Sequence, residues 1–289
     1  MFIMLDLGLP EVLTSKVIME NPAKFRRRSV CANSSLRVVG YPNKEVLSSA
    51  GRGVVAVYRD GLIEGVLIDP IGTEYDQLGK AVVVRDNFIV ASATGANNTK
   101  DANNGKVLVW RYLNDEWALT DEISPPIVNK LGGYGDSLAC SADGQYIIVG
   151  VPIAVMGVLA YQGYASILQY NGLGYESVAI MTTALPTSHG RYGSIVGISD
   201  NGNFAICGWV QDTPAIIPDC LDIYVMTDGW ELRQTTSIRD ITPPAATGVN
   251  ASFDNDDIII EFTSHCGDVV VSEHIYGLVD NTIWALLSM

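Results

Sequence analysis

His189, His265 and His274 are the residues of this 289-residue chain most readily enlisted as general bases. None has a Ser or Cys nucleophile beside it in an elbow motif, so nucleophilic catalysis lacks its first two members. Each reads as a loop or strand-edge residue. Acidic residues are plentiful, and Asp254, Asp256 and Asp257 fall together in FDNDD. A run of that kind is the composition of a solvated turn, and nothing marks out two carboxylates flanking a glycosidic bond. Cys31, Cys140, Cys207, Cys220 and Cys266 show no C-x-x-C or Cys/His spacing of a metal site. The expectation is therefore a protein that is not an enzyme, with no catalytic residue, metal or cofactor.

Binding chemistry is better represented. Between Ile153 and Gln162 the chain reads IAVMGVLAYQ, placing Ile153, Val155, Met156, Val158, Leu159 and Tyr161 in one stretch without a charge. Ile216 and Ile217 lie between Pro214 and Pro218 at the equivalent place one repeat later. Apolar loops of this extent mark contacts with other proteins, or else fold inward over a central channel. Lys24, Arg26, Arg27 and Arg28 form the single basic cluster. They fan over acidic neighbours, or dock on an acidic partner or a phosphate group. Trp117 and Trp230 recur at matching positions, which suits either stacking on sugar rings or, as the favoured reading, packing at a rim.

The elements that must hold these residues are repeats. Tyr134–Pro152, YGDSLACSADGQYIIVGVP, reads as two strands joined by an Asp-Gly turn. Tyr192–Trp209 and Leu78–Ala93 repeat the pattern, Arg26–Pro42 is a shortened copy, and Asp257–Glu273 is a weaker one. The copies begin near residues 26, 78, 134, 192 and 257, giving spacings of 52, 56, 58 and 65. A period of this size means one supersecondary unit per repeat, stacked on its neighbours to bury what it cannot bury alone. A third β-rich run follows each pair: 53–59, 105–112, 164–170, 221–226 and 282–287. Trp117, Tyr175 and Trp230 then open a fourth. Four strands per repeat, set radially, make the blade of a β-propeller.

The succession of small residue, DG turn, IIVG-x-P and G-x-A-x-I-x-x-Y resembles FG-GAP repeats, the blades of integrin α-chain heads. It is closest over Tyr134–Tyr170 and spans about residues 25–289. The resemblance implies an all-β propeller, and the five repeats make it five-bladed in a single domain. Calcium-binding repeats of that family carry several Asp and Asn ligands in the first turn. Here SADGQ and SDNGN supply too few hard oxygens for a calcium cage, so metal binding does not carry over.

Blade boundaries are expected near 25–72, 73–129, 130–188, 189–247 and 248–289. In this reading Thr282–Leu287 is a third strand with no fourth, and Thr14–Met19 is a fourth strand with nothing before it. The N-terminal strand, within residues 14–20, is therefore expected to complete the last blade and remove two sheet edges. The 2–3 loops Asn43–Arg52, Gly95–Asn104, Ile153–Gln162 and Val210–Cys220 share one face, where binding residues concentrate on rigid scaffolds.

Net charge is −14, divided as +4 over residues 1–60 and −18 over the remainder, which disfavours nucleic acid as a partner. The uncharged stretch Tyr146–Tyr175 is long enough to cross a bilayer, but Pro152, its glycines and the repeat register oppose membrane insertion. An odd cysteine count and the lack of a secretory signal point to synthesis in the cytoplasm. Together these features predict a non-enzymatic docking or structural subunit of a larger assembly, its partners being further copies of the chain or the subunits of a viral assembly, such as a virion component of a phage tail or capsid. The alternative is a lectin-like, glycan-binding propeller.

Overall fold

In the computed structural model the described residues are 30–32, 35–97, 104–127, 132–184, 188–209, 220–237, 248–254, 257–263, 270–279 and 283–288. They form twenty strands in five four-stranded antiparallel sheets, each a meander in chain order. The first sheet holds β1 (Val30–Ala32), β2 (Leu36–Tyr41), β3 (Val54–Arg59) and β4 (Leu62–Leu67). The second holds β5 (Leu78–Arg85), β6 (Phe88–Ala93), β7 (Lys106–Leu113) and β8 (Glu116–Ile123). The third holds β9 (Ser137–Cys140), β10 (Tyr146–Val151), β11 (Tyr164–Tyr170) and β12 (Tyr175–Met181). The fourth holds β13 (Ile195–Ile198), β14 (Phe204–Trp209), β15 (Cys220–Met226) and β16 (Trp230–Ser237). The fifth holds β17 (Gly248–Asp254), β18 (Asp257–Thr263), β19 (Val270–Val279) and β20 (Ile283–Ser288).

Sequence dictates which strands are central. FIVASA in β6 and FAICGW in β14 are buried along their whole length, as continuous apolar runs must be when both sheet faces are covered. The fourth strands β8, β12 and β16 mix polar and apolar residues and are half exposed. Successive sheets pack on one another through shared apolar clusters. Val82 and Val84 meet Val55 and Val57, Val107 and Val109 meet Ile147 and Val149, Ile148 and Ile167 meet Cys207, and Ile223 meets Ile258.

Each sheet is bulged where its third and fourth strands pair, so that Glu64, Thr120, Val178, Arg233 and Leu287 each fall between two paired neighbours. Irregularity of this kind spoils an outer edge as a template for further strands. The turns Asp60-Gly61 and Asn114-Asp115 take positive φ at both positions, the conformation whose twist matches a two-residue hairpin.

A second recurring device joins the sheets. Gly53, Gly105 and Gly163 bridge in parallel to Leu78, Tyr134 and Tyr192, the first residues of the next repeat. The amides of Leu78, Tyr134 and Tyr192 donate to the carbonyls of Arg52, Asn104 and Gln162 at 3.0, 3.0 and 2.8 Å. This approach is why the repeats carry glycine there.

SADGQ and SDNGN close in the same way as each other. Ser141 Oγ donates to Asp143 Oδ1 at 2.7 Å and accepts from the Tyr146 amide, and Ser199 does the same with Asn201 and Phe204. The side-chain oxygens of Asp143 and Asn201 are thus engaged within their own turns.

Between the third and fourth sheets the Tyr192 hydroxyl donates to Asp222 Oδ2 at 2.8 Å and lies 2.9 Å from the Tyr224 hydroxyl, while Thr235 donates to Asp222 Oδ1 at 2.6 Å. Burial raises the Asp222 pKa above 3.8, and the two hydroxyl donors pull it back. A carboxylate shifted upward costs stability as pH rises through the interval above 3.8, so its donors matter most near neutrality. Tyr192→Phe should lower the unfolding free energy by about 1–3 kcal/mol, measured by urea titration, because it leaves a buried acceptor without its donor.

The expected closure by the N-terminal strand does not follow. Gly248–Asp254 is the first strand of the fifth sheet, so Asp257–Thr263 is the second and Ile283–Ser288 the fourth. β19 pairs with β18 on one side and β20 on the other, which fills the edge assigned to residues 14–20. The error came from the ladder Gly248↔Thr263 to Asp254↔Asp257, whose first strand GVNASFD lacks a β-branched run. Residues 14–20 themselves lie outside the described residues.

Candidate docking face

The 2–3 connections of the first and third sheets are miniature hairpins built on one plan. After Tyr41 and Val151 come Pro42 and Pro152, and the amides of Lys44 and Ala154 turn back to the carbonyls of Tyr41 and Val151. Val46 and Ser49 exchange both backbone hydrogen bonds at 3.1 and 2.9 Å, and Met156 and Leu159 exchange theirs at 3.1 Å each. The Gly53 and Gly163 amides then close on Lys44 and Ala154. The second sheet begins and ends its connection in the same manner, with Gly105 donating to Ala96. The scaffold is constant and the tip varies.

At the first hairpin's tip stand Leu47 and Ser48, and at the third's Gly157 and Val158. Val158 is 96% exposed, while Ile153, Val155 and Tyr161 are exposed to 37%, 42% and 42%. Met156 and Leu159 are half buried, with Met156 packed on the cluster between the second and third sheets. Ala154 is fully buried and anchors the base. The stretch thus exposes Ile153, Val155, Val158 and Tyr161 to solvent over a half-buried base. Ile216 and Ile217 lie outside the described residues, as do Lys24, Arg26, Arg27 and Arg28.

Among the described residues, seven of the ten non-glycine residues with positive φ sit at this end of the sheets: Leu47, Ser48, Tyr75, Gln77, Tyr161, His189 and Arg191. Five of these, Tyr75, Gln77, Tyr161, His189 and Arg191, take part in hydrogen bonds between one repeat and the next. Tyr75 and Gln77 donate to Ala50 and Gly51, and His189 and Arg191 donate to Ala160 and Tyr161. Left-handed backbone is costly for bulky residues and persists only where the surroundings over-determine it. One result is the Tyr161–His189 ring pair, edge to face at 5.2 Å, beside the hairpin. Sequence reasoning treated His189 singly; the matching offsets of Tyr75 and His189 before their repeats were the signal for its place.

Beneath this face lies a buried ionic cluster that spacing gave no hint of. Lys106 Nζ contacts Asp69 Oδ2 at 2.7 Å and Glu122 Oε1 at 3.0 Å, and Arg52 donates to the Asp69 carbonyl at 2.6 Å. Burial disfavours the Lys106 charge, but the bonds to Asp69 and Glu122 outweigh it and raise the pKa. The cluster fixes the link Asp69–Gln77 under the hairpins.

Trp117 and Trp230 act as mortar between sheets. Trp117 Nε1 donates to Glu64 Oε2 of the first sheet at 3.3 Å and tilts on Tyr112 at 5.1 Å. Trp230 meets Tyr146 of the third sheet edge on at 5.7 Å. Tyr175 holds the equivalent place, donating to the Gly144 carbonyl at 2.6 Å with Arg111 stacked nearby. Packing across the joint accounts for the recurrence of these rings. Trp230→Ala should cost about 3–5 kcal/mol in a denaturant titration, as large-to-small changes at packed sites do.

Among the described residues no group of three His, Cys, Asp or Glu side chains is placed to hold a metal ion. Burial pushes the Cys140 thiol up to about 12 and that of Cys207 well above its usual range, which leaves neither as a thiolate near neutrality. His274 lies in β19, and His265 lies outside the described residues. No helix among the described residues is long and apolar enough to cross a membrane, and the uncharged stretch 146–175 forms β10, the hairpin and β11. A scan against protein-family models matches none of them, and a search of curated proteins finds no match.

Proposed function

We propose that the chain is a five-bladed propeller of FG-GAP type that serves, without catalysis, as a docking subunit of a larger protein assembly. The ring is supported by the stacking of each sheet on the next and of first strand on first strand from β1 to β17. It is supported too by the first sheet's other apolar face, where Val39, Val54 and Ala56 are buried in a cluster separate from the one shared with the second sheet. The docking role is carried by one observation: the hairpin of the third sheet lifts Ile153, Val155, Val158 and Tyr161 into solvent without a charge among them. An apolar projection on a chain of net charge −14 marks a contact with another protein.

The test is gel filtration with light scattering on a native extract. The chain should elute in a complex well above 31.1 kDa, and Val158→Asp should release it at that mass with its melting temperature unchanged. Elution of the unaltered chain at 31.1 kDa would overturn the reading.

A further inference from the structure

The third sheet carries a second apolar projection, at the end opposite its hairpin. Between β11 and β12 the Asn171 side chain accepts from the amides of Leu173 and Gly174 at 2.9 and 3.1 Å, and the Asn171 amide donates to the Gly174 carbonyl at 3.0 Å. This small locked turn holds Leu173 95% exposed. The hairpin leads into β11 and the Leu173 turn leaves it, so the two projections are separated by the length of that strand, about 20 Å. Between them, from Tyr146 to Tyr175, there is no charged residue.

The balance of charge beside the two ends differs in sign. Beside the hairpin Arg191 is exposed, tied by its amide to the Tyr161 carbonyl. Beside the Leu173 turn Glu176 is exposed and Asp121 Oδ1 of the second sheet reaches the position of Gly174, two carboxylates against the one half-buried guanidinium of Arg111, which lies over the Tyr170 ring.

Resting on the docking role above, we propose that the partner of this hairpin is a second copy of the chain, stacked end on end through the third sheet. The hairpin of one copy covers Leu173 of the next, and Arg191 comes to face Asp121 and Glu176. Charge selects the occupant. Two bodies of net charge −14 repel wherever their acidic surfaces meet, and screening confines that repulsion to about 8 Å at physiological salt. An uncharged sector is where like-charged copies approach at least cost, whereas a basic partner would prefer the acidic surfaces elsewhere. Unlike ends on one sheet make the contact head to tail, and such a contact propagates until its rotation closes a ring.

Purified chain alone tests this by light scattering across a concentration series, with melting temperatures confirming that each variant folds. The mass should climb past twice 31.1 kDa as concentration rises. Val158→Asp and Leu173→Asp should each stay at 31.1 kDa, since each spoils one end. An equal mixture of the two should recover a dimer and stop there, because one intact hairpin meets one intact Leu173 turn. Unaltered chain that remains at 31.1 kDa throughout would overturn the stack, while a large complex in the native extract would leave docking on another protein standing. Association that survives Leu173→Asp, or a mixture that stays monomeric, would overturn it equally.

Discussion

Gly163→Ala should lower the melting temperature by roughly 10 °C. The residue has φ +76°, and a Cβ there would lie 2.2 Å from the Tyr192 carbonyl oxygen and 2.9 Å from that of Pro152. Neither neighbour can yield. Tyr192 is the residue through which the fourth sheet joins the third, and the Pro152 carbonyl belongs to the base of the hairpin. Left-handed backbone costs alanine about 1–2 kcal/mol, and the forced separation of two packed segments adds about 1–3 more. Gly172 separates these contributions. It has φ +92° with nothing within 4 Å of its would-be Cβ, so Gly172→Ala should show the backbone cost alone. Equal losses at both sites, read by differential scanning calorimetry, would mean that the seam does not hold the sheets together.

Lys106→Met should be nearly as damaging, at about 3–5 kcal/mol, because it strands the Asp69 carboxylate, whose side chain is 1% exposed. Removing both charges is the decisive comparison. Lys106→Met with Asp69→Asn keeps the acceptor for the Ile71 amide at 3.1 Å and should recover most of the loss, since a well-packed neutral replacement for a buried pair is close to neutral in stability. The sign of the pH dependence follows from the raised Lys106 pKa. A cation whose folded pKa is raised stabilises fully below its ordinary value of 10.5, and that stability is lost as pH climbs through the higher folded value. Alkaline unfolding should therefore come earlier in the double variant's parent than in the double variant when each is referred to its own stability at pH 7.

Much of this fold was legible because each repeat states its turns and its β-branched runs openly. β10, β11 and β12 fall where YIIVGV, YASILQY and YESVAIM place them, and the exposed hairpin falls where the uncharged stretch places it. Two things were hidden for physical reasons. The fifth sheet's first strand, GVNASFD, has one β-branched residue and three polar ones, so its ladder rests on pairing with β18 and not on local propensity. Missing it shifted every later strand by one place and created the need for an N-terminal strand to close the ring. The Lys106–Asp69 pair joins residues 37 apart in the chain, one in β7 and one in the link after β4, and no spacing encodes such a contact. Trp117 and Trp230 show the converse limit: their recurrence was plain, but only geometry shows that each ring reaches a residue of another sheet.

The most direct measurement compares two hairpins that share one backbone. A photo-crosslinking residue placed at Val158, and separately at Leu47 of the first sheet, samples tips of the same construction with different surroundings, at 96% and 59% exposure. In the native assembly, position 158 should yield a single strong adduct whose partner peptide can be identified, and position 47 should yield none of comparable strength. Equal adducts from both tips, or an adduct from position 47 alone, would show that the uncharged hairpin of the third sheet is not the docking surface.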